Sequence, residues 1–228
     1  IQTSIKNFLK IYNNIVKSLF KIFDISQIKR ISFREDINGL RAIAVLVVVF
    51  YHAEIDIFKG GYLGVDIFFV ISGYLISNIV ISELNEGTFK FKNFYKRRIE
   101  RILPALFSTI LLTLPLAYIL FTPKAMEEFV QSMFSSIFFY ANLHFKNLDF
   151  YVAESTKVMP LLHTWSLAIE EQYYLLFPLI AYILFKYLKN YFFVFIGFLA
   201  LISVFINTQS QEASKFYLLQ YRLWELLI

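Results

Sequence analysis

Cysteine is absent from the chain. No disulfide framework and no thiolate metal site can therefore form, and cysteine usage gives no reading of the redox compartment. Charge is scarce, at 17% of residues, against 58% hydrophobic and 19% aromatic residues in a chain of 228. Together with a mean hydropathy of +0.58, this is too apolar for a soluble domain, and several stretches approach the ~20 apolar residues that cross a bilayer. The sequence contains no internal repeat and no low-complexity tract. A signal peptide is not apparent, because the opening run is spaced by lysines and lacks a small-residue cleavage site. The first residue is Ile1 and the last block, "YRLWELLI", stops inside an apolar run, so the sequence reads as a fragment. These features predict an all-α, polytopic transmembrane helical bundle.

Residues 1–31 hold Lys6, Lys10, Lys17, Lys21, Lys29 and Arg30 against Asp24, a net charge equal to the +5 of the whole chain. Ile5, Phe8, Leu9, Tyr12, Ile15, Val16, Leu19, Phe20 and Phe23 recur at helical spacing. The pattern predicts a basic amphipathic helix on an anionic membrane surface, followed by a transmembrane domain over 32–228. Spans are expected at 39–53, 62–82, 102–122, 161–185, 191–207 and 215–228. The loop "TFKFKNFYKRRIER" (88–101) is strongly basic and therefore cytoplasmic by the positive-inside rule, which puts 54–61 outside. Counting crossings then requires 123–160 to begin and end on the outer side. The apolar piece at 124–145 is accordingly expected to be re-entrant or interfacial, the alternative being a further full span.

Four stretches combine residue types that carry chemistry. In "FREDINGLRAIAVLVVVFYHAEIDIFKGGYLGVDIFFVISGYLI", Arg41 and His52 are eleven residues apart, which puts them on one helical face about 16 Å apart. Ionisable groups at such depth usually mark a pathway or a site, although a snorkelling arginine and an interfacial histidine are each common. Gly60, Gly61, Gly64, Ser72 and Gly73 permit close packing. Asp66 alone reads as an ordinary carboxylate at a helix N-terminus. Arg98 and Arg101 share a face if their segment is helical, and paired guanidinium forks suit phosphates; plain positive-inside topology explains them as well. In "HTWSLAIEEQYYLLFP", Ser166, Glu170 and Tyr174 make one polar stripe, with Glu171 and Gln172 adding polar atoms at the outer entrance. That carboxylate is expected to pair with His52 and raise its basicity; a helix-entry cap at the interface is the plainer reading.

Taken in order, these stretches resemble the acyltransferase-3 family of integral membrane O-acyltransferases. The closing "FYLLQYRLWELL", with Arg222 and Glu225, resembles a later helix of the same family. The likeness runs over about 34–228, and residues 1–31 have no counterpart in it. The resemblance implies transfer of an acetyl or other short acyl group from cytoplasmic acyl-CoA to a hydroxyl of a glycan outside, with no permanently bound cofactor. O-antigen, peptidoglycan, exopolysaccharides and macrolides are acceptors in the family. It implies His52 as catalytic base, Glu170 beside it, and Arg41, Arg98 and Arg101 at the donor. Asp66, Ser72, His163, Trp165, Ser166, Tyr174, Arg222 and Glu225 fall in supporting positions. It further implies a bundle of roughly ten core helices, of which six to seven would be present, in the inner (plasma) membrane of a bacterium. Many relatives carry an SGNH-hydrolase-like domain after the bundle. The expected partners are lipid, acyl-CoA and a glycan, with no nucleic acid.

Two other readings fit the residues: a transporter or flippase-like protein, which would show no acyl-CoA dependence, and a truncated, inactive scaffold. The orientation is directly testable, because the chain has no cysteine of its own. A cysteine introduced at Lys92 should react with an impermeant thiol reagent only from the cytoplasmic side, and one at Ile57 only from outside. External labelling at Lys92 would reverse the topology.

Overall fold

The computed structural model describes residue 28 and residues 34–148, 159–210 and 212–228. The basic helix expected over 1–31 lies, but for Ile28, outside the described residues. Helices are α1 (Glu35–His52), α2 (Gly64–Asn85), α3 (Phe91–Leu120), α4 (Pro123–Ile137), α5 (Ala141–Lys146), α6 (Thr164–Tyr187), α7 (Phe192–Gln209), α8 (Glu212–Tyr217) and α9 (Leu219–Leu227). Short 3-10 turns at Asp56–Phe58 and Gly61–Leu63 join α1 to α2. No strand occurs among the described residues. The protein is an all-α membrane helical bundle, as its composition predicts.

Among the described residues, four stretches are long and apolar enough to cross a membrane: Gly61–Asn85, Phe91–Leu120, Thr164–Tyr187 and Lys189–Gln209. Six were expected, and the two differences have physical causes. The first expected span, α1, has only 18 residues and carries Glu35, Asp36 and Arg41 among them. The last, 215–228, is broken at Leu218, whose backbone is extended (φ −106°, ψ 133°) between α8 and α9. The basic segment before the third span is largely not a loop. From Phe91 it forms the first turns of α3, which at 30 residues is about 45 Å long and projects beyond the hydrocarbon.

The segment 124–145 is two short helices rather than one crossing. Thr122 caps α4 by accepting from Ala125 N at 3.2 Å, with Pro123 in the first turn. The 15 residues of α4 reach only about 22 Å. Its buried stripe of Ala125, Phe129, Ser132 and Ser136 has helical spacing, and Phe134 and Phe138 are left exposed. A turn at 138–140 then leads to α5. Gln172 of α6 holds that turn, donating to Phe139 O at 3.1 Å and Asn142 Oδ1 at 2.8 Å. Asn142 in turn donates to Tyr217 O at 2.9 Å. Gln172 is thus an internal strut and not part of an outer entrance, because the helical rotation from Glu170 points it toward α5.

The core is centred on α2 and α6, where Phe69, Ile76 and Val80 meet Trp165, Ile169, Tyr173 and Phe177, with Phe94 and Leu226 closing it. The Ser77 and Tyr173 hydroxyls share a 2.9 Å hydrogen bond across these two helices. Two glycines let neighbouring backbones approach. A Cβ at Gly61 would stand 2.7 Å from Tyr51 Cβ, and one at Gly73 2.6 Å from the carbonyl carbon of Leu226 in α9. At the basic end, Arg97 donates to the buried Glu83 at 2.8 Å.

The last helix is held by polar groups. Ser203 of α7 donates to Gln220 O at 2.7 Å and accepts from Trp224 N at 3.1 Å. Its hydroxyl is thus inserted where the α9 backbone would otherwise bond to itself. Asn207 donates to Tyr221 O at 3.2 Å. Arg222 bridges Asp66 of α2 at 2.9 Å and Glu225 at 2.6 Å, and lies over the rings of Phe69 and Phe216. Asp66 is therefore an ion-pair partner and not merely a carboxylate at a helix start.

The Gly73 contact gives a stability test. Gly73→Ala should destabilise the reconstituted protein by about 1–3 kcal/mol through overpacking. Gly197→Ala, where a Cβ meets nothing within 4 Å, should not. Thermal unfolding of the two variants side by side measures the difference.

Candidate active site

A cavity of about 1250 Å³ runs between α1, α2, α3, α6 and α8. Its lining includes Arg41 and His52 of α1, Ser72 of α2, Arg98 and Arg101 of α3, and Trp165, Ser166, Glu170 and Tyr174 of α6, with His163 just before α6. The helical arithmetic for Arg41 and His52 is met, since both side chains face this one space. The cavity has two chemically different ends.

At one end stand two imidazoles. The His52 and His163 rings are 4.5 Å apart at 82°, edge to face. His52 Nδ1 lies 2.8 Å from Val48 O, one turn back in α1. A carbonyl can only accept, so in this bond Nδ1–H donates and the lone pair of neutral His52 sits on Nε2. Burial pushes the His163 imidazole below its ordinary value, and the facing His52 adds to that. His144, the remaining histidine, lies off the cavity in α5 beside Glu128 and Phe129.

At the other end are the guanidinium groups of Arg41, Arg98 and Arg101. Nε of Arg41 and Nε of Arg98 are buried without a hydrogen-bond partner. Arg98 has Arg101 and Arg97 as charged neighbours, with Glu171 opposite. Glu170 lies between the ends. Tyr174 donates to its Oε2 at 2.7 Å, and Arg41 and Arg101 are its cationic neighbours. The expected pairing of Glu170 with His52 is not made. Glu170 is seven residues past His163, about 10 Å deeper along α6, and what stands beside His52 is His163 itself.

The remaining supporting residues divide. Ser72 is buried against the Glu170 carboxyl and the Tyr174 hydroxyl. Ser166 donates to His163 O at 3.1 Å and so braces the turn that carries that imidazole. Trp165 packs on Phe69, Phe216 and Tyr217 and forms a wall. Asp66, Arg222 and Glu225 do not line the cavity; they lock α9 to α2. Sequence reasoning passed over Tyr51 and Tyr62, which do line it. The signal for both was adjacency to His52 and to the glycine turn.

The family model described as "Acyltransferase domain" matches residues 34–227. Among curated proteins, the O-acetyltransferase OatA of Staphylococcus aureus strain NCTC 8325 / PS 47 is 41% identical over 147 residues, 63% of this chain and 24% of its own. OatA of strain COL matches to the same extent. A protein of strain MSSA476, provisionally named an O-acetyltransferase, is 40% identical over 153 residues, 67% of this chain and 25% of its own. The chain spans about a quarter of the length of these curated relatives. No solved structure matches. The cavity joins arginines to imidazoles, and with a profile match over residues 34–227 the chain belongs to the acyltransferase-3 family.

Proposed function

We propose that the protein is a membrane-bound O-acyltransferase of the bacterial plasma membrane, with a basic segment over 1–31 that meets the membrane surface and an acyltransferase domain over 32–228. It moves an acetyl or short acyl group from cytoplasmic acyl-CoA to a hydroxyl of an extracytoplasmic glycan. The observation that carries this reading is the single cavity with arginines at one end and an imidazole pair at the other. Arg41 and Arg98 are half-buried with Nε atoms that lack partners, an arrangement that a polyanion relieves and that charge-assisted, bidentate hydrogen bonds suit well. A donor carrying several phosphates matches that end. Its thioester arm then has about 16 Å to cover between Arg41 and His52.

In the proposed reaction His52 Nε2 takes the proton of the acceptor hydroxyl. The oxygen forms a bond to the thioester carbonyl carbon, the C–S bond breaks, and the departing thiolate recovers the proton from His52. An acyl-imidazole at the same nitrogen is the other route the geometry accommodates. Glu170 acts at the donor end, where it and Tyr174 hold Arg41 and Arg101 in place. The name of the OatA relatives supports acetyl as the acyl group, and peptidoglycan or another cell-surface polysaccharide is the acceptor class this reading favours.

Three measurements test it, with radiolabelled acetyl-CoA, a glycan acceptor and the chain in lipid. Arg98→Ala or Arg101→Ala should weaken donor use by about 1.5–3 kcal/mol per lost charged hydrogen bond. If lysine at either position restores full activity, simple charge and not bidentate gripping is at work. His52→Ala should lower transfer by ~10²–10⁴-fold and leave acetyl-CoA binding intact, whereas Glu170→Gln should raise the KM for the donor. Should His163→Ala abolish transfer and His52→Ala spare it, the base has been assigned to the wrong imidazole. A chain that moves a solute with no dependence on acyl-CoA would be a transporter instead.

A further inference from the structure

The imidazole end of the cavity is bordered by two tyrosine rings that the reaction above does not use. Tyr51 precedes His52 in α1, and Tyr62 sits in the 3-10 turn Gly61–Leu63. Their rings meet edge on, with centroids 5.8 Å apart at 66°. The Tyr51 ring stands 5.1 Å from the His52 ring at 87°. Tyr51 is 38% and Tyr62 50% exposed, and both line the cavity. Aromatic residues in a membrane protein commonly anchor at the lipid interface. These two open instead onto the space that holds the imidazoles.

The rings are also held in place. Gly61 lies so close to α1 that a Cβ would meet Tyr51 Cβ at 2.7 Å, so the turn bearing Tyr62 rests directly on the helix bearing Tyr51. Phe50 and Phe58, with ring centroids 4.8 Å apart, tie the preceding turn to the same helix. Preorganised rings lose little entropy when something stacks on them.

We propose that Tyr51 and Tyr62 form a platform on which a pyranose ring stacks, placing one of its hydroxyls at the His52–His163 pair. This rests on the acyl-transfer reading and adds to it the residues that hold the acceptor. A pyranose has an apolar face of axial C–H bonds and a rim of hydroxyls. The electron-rich face of a phenol ring attracts those C–H bonds, and its hydroxyl can pair with the rim. The nucleoside of the donor also stacks on aromatic rings, but it is joined to the phosphates. Phosphates held near Arg41 are about 16 Å from His52 along α1, so the nucleoside stays at the arginine end.

Saturation-transfer NMR on the chain in nanodiscs tests the platform without requiring turnover. The probes are methyl β-glucopyranoside, the open-chain polyol sorbitol, and adenosine 3′,5′-bisphosphate. Saturation is expected on the axial C–H protons of the pyranoside and not on sorbitol, and it should persist when the bisphosphate is added. Tyr62→Ala and Tyr62→Leu should both abolish it. The leucine variant fills the position without a flat ring, which separates stacking from packing. Tyr62→Phe should retain it, and Tyr118→Ala on the exposed side of α3 should not change it. In the transfer assay, Tyr62→Leu should raise the KM for the glycan by about tenfold, the loss of one stacked ring, with the KM for acetyl-CoA unmoved. Equal saturation of sorbitol, displacement by the bisphosphate, or a Tyr62→Leu variant that still binds the pyranoside would overturn the platform. Pyranoside binding that needs Tyr62, in a chain that transfers no acyl group, would retain the platform and sink the acyl-transfer reading.

Discussion

Backbone-to-backbone contact on both sides of α2 sets the geometry of this protein. On one side the start of the helix presses on α1 at Gly61 and Gly64, where a Cβ at Gly64 would stand 2.5 Å from Ala44 O. On the other, Gly73 presses on α9. In lipid there is no hydrophobic drive to bring helices together, so close packing of small residues has to supply the association. Because α1 is fixed this tightly, its charged and imidazole side chains cannot rotate toward lipid. They are turned into the space that α2, α3 and α6 enclose. The cavity follows from the packing of α2, and its chemistry from what α1 and α6 then point into it.

The distribution of polar groups follows the cost of desolvation. Carboxylates that are buried away from the cavity have cationic partners, as Glu83 has Arg97 and Glu225 has Arg222. Inside the cavity the balance differs: Arg41, Arg98 and Arg101 face a space in which, among the described residues, Glu170 is the one lining carboxylate. That difference separates ion pairs that hold helices together from cations left available for an anionic ligand. It also separates two uses of arginine that a sequence motif alone presents identically, since Arg222 is as buried as a site residue and yet serves the fold.

Much of this was legible in the residues. Spacing alone put Arg41 and His52 on one face, and Ser166, Glu170 and Tyr174 on another, and the structure brings both faces to one cavity. Counting basic loops made 124–145 re-entrant or interfacial, and the segment is two short helices. Pairings between helices were not legible. Which group stands beside His52 depends on the depth at which α6 passes α1, and a slide of two turns separates His163 from Glu170. The break at Leu218 was equally hidden, because an apolar run reads the same whether its hydrogen bonds continue or stop. Gln172 looked like part of an entrance because its neighbours do, and only the position of α5 reveals what it supports.

The insertion of Ser203 into α9 has a consequence for how the protein is assembled. The extended backbone at Leu218 interrupts the helical hydrogen bonding between α8 and α9, and lipid offers no partner to the groups so freed. Two residues of α7, Ser203 and Asn207, take up backbone groups of α9. α7 thus supplies to the start of α9 the hydrogen-bond partners that lipid cannot.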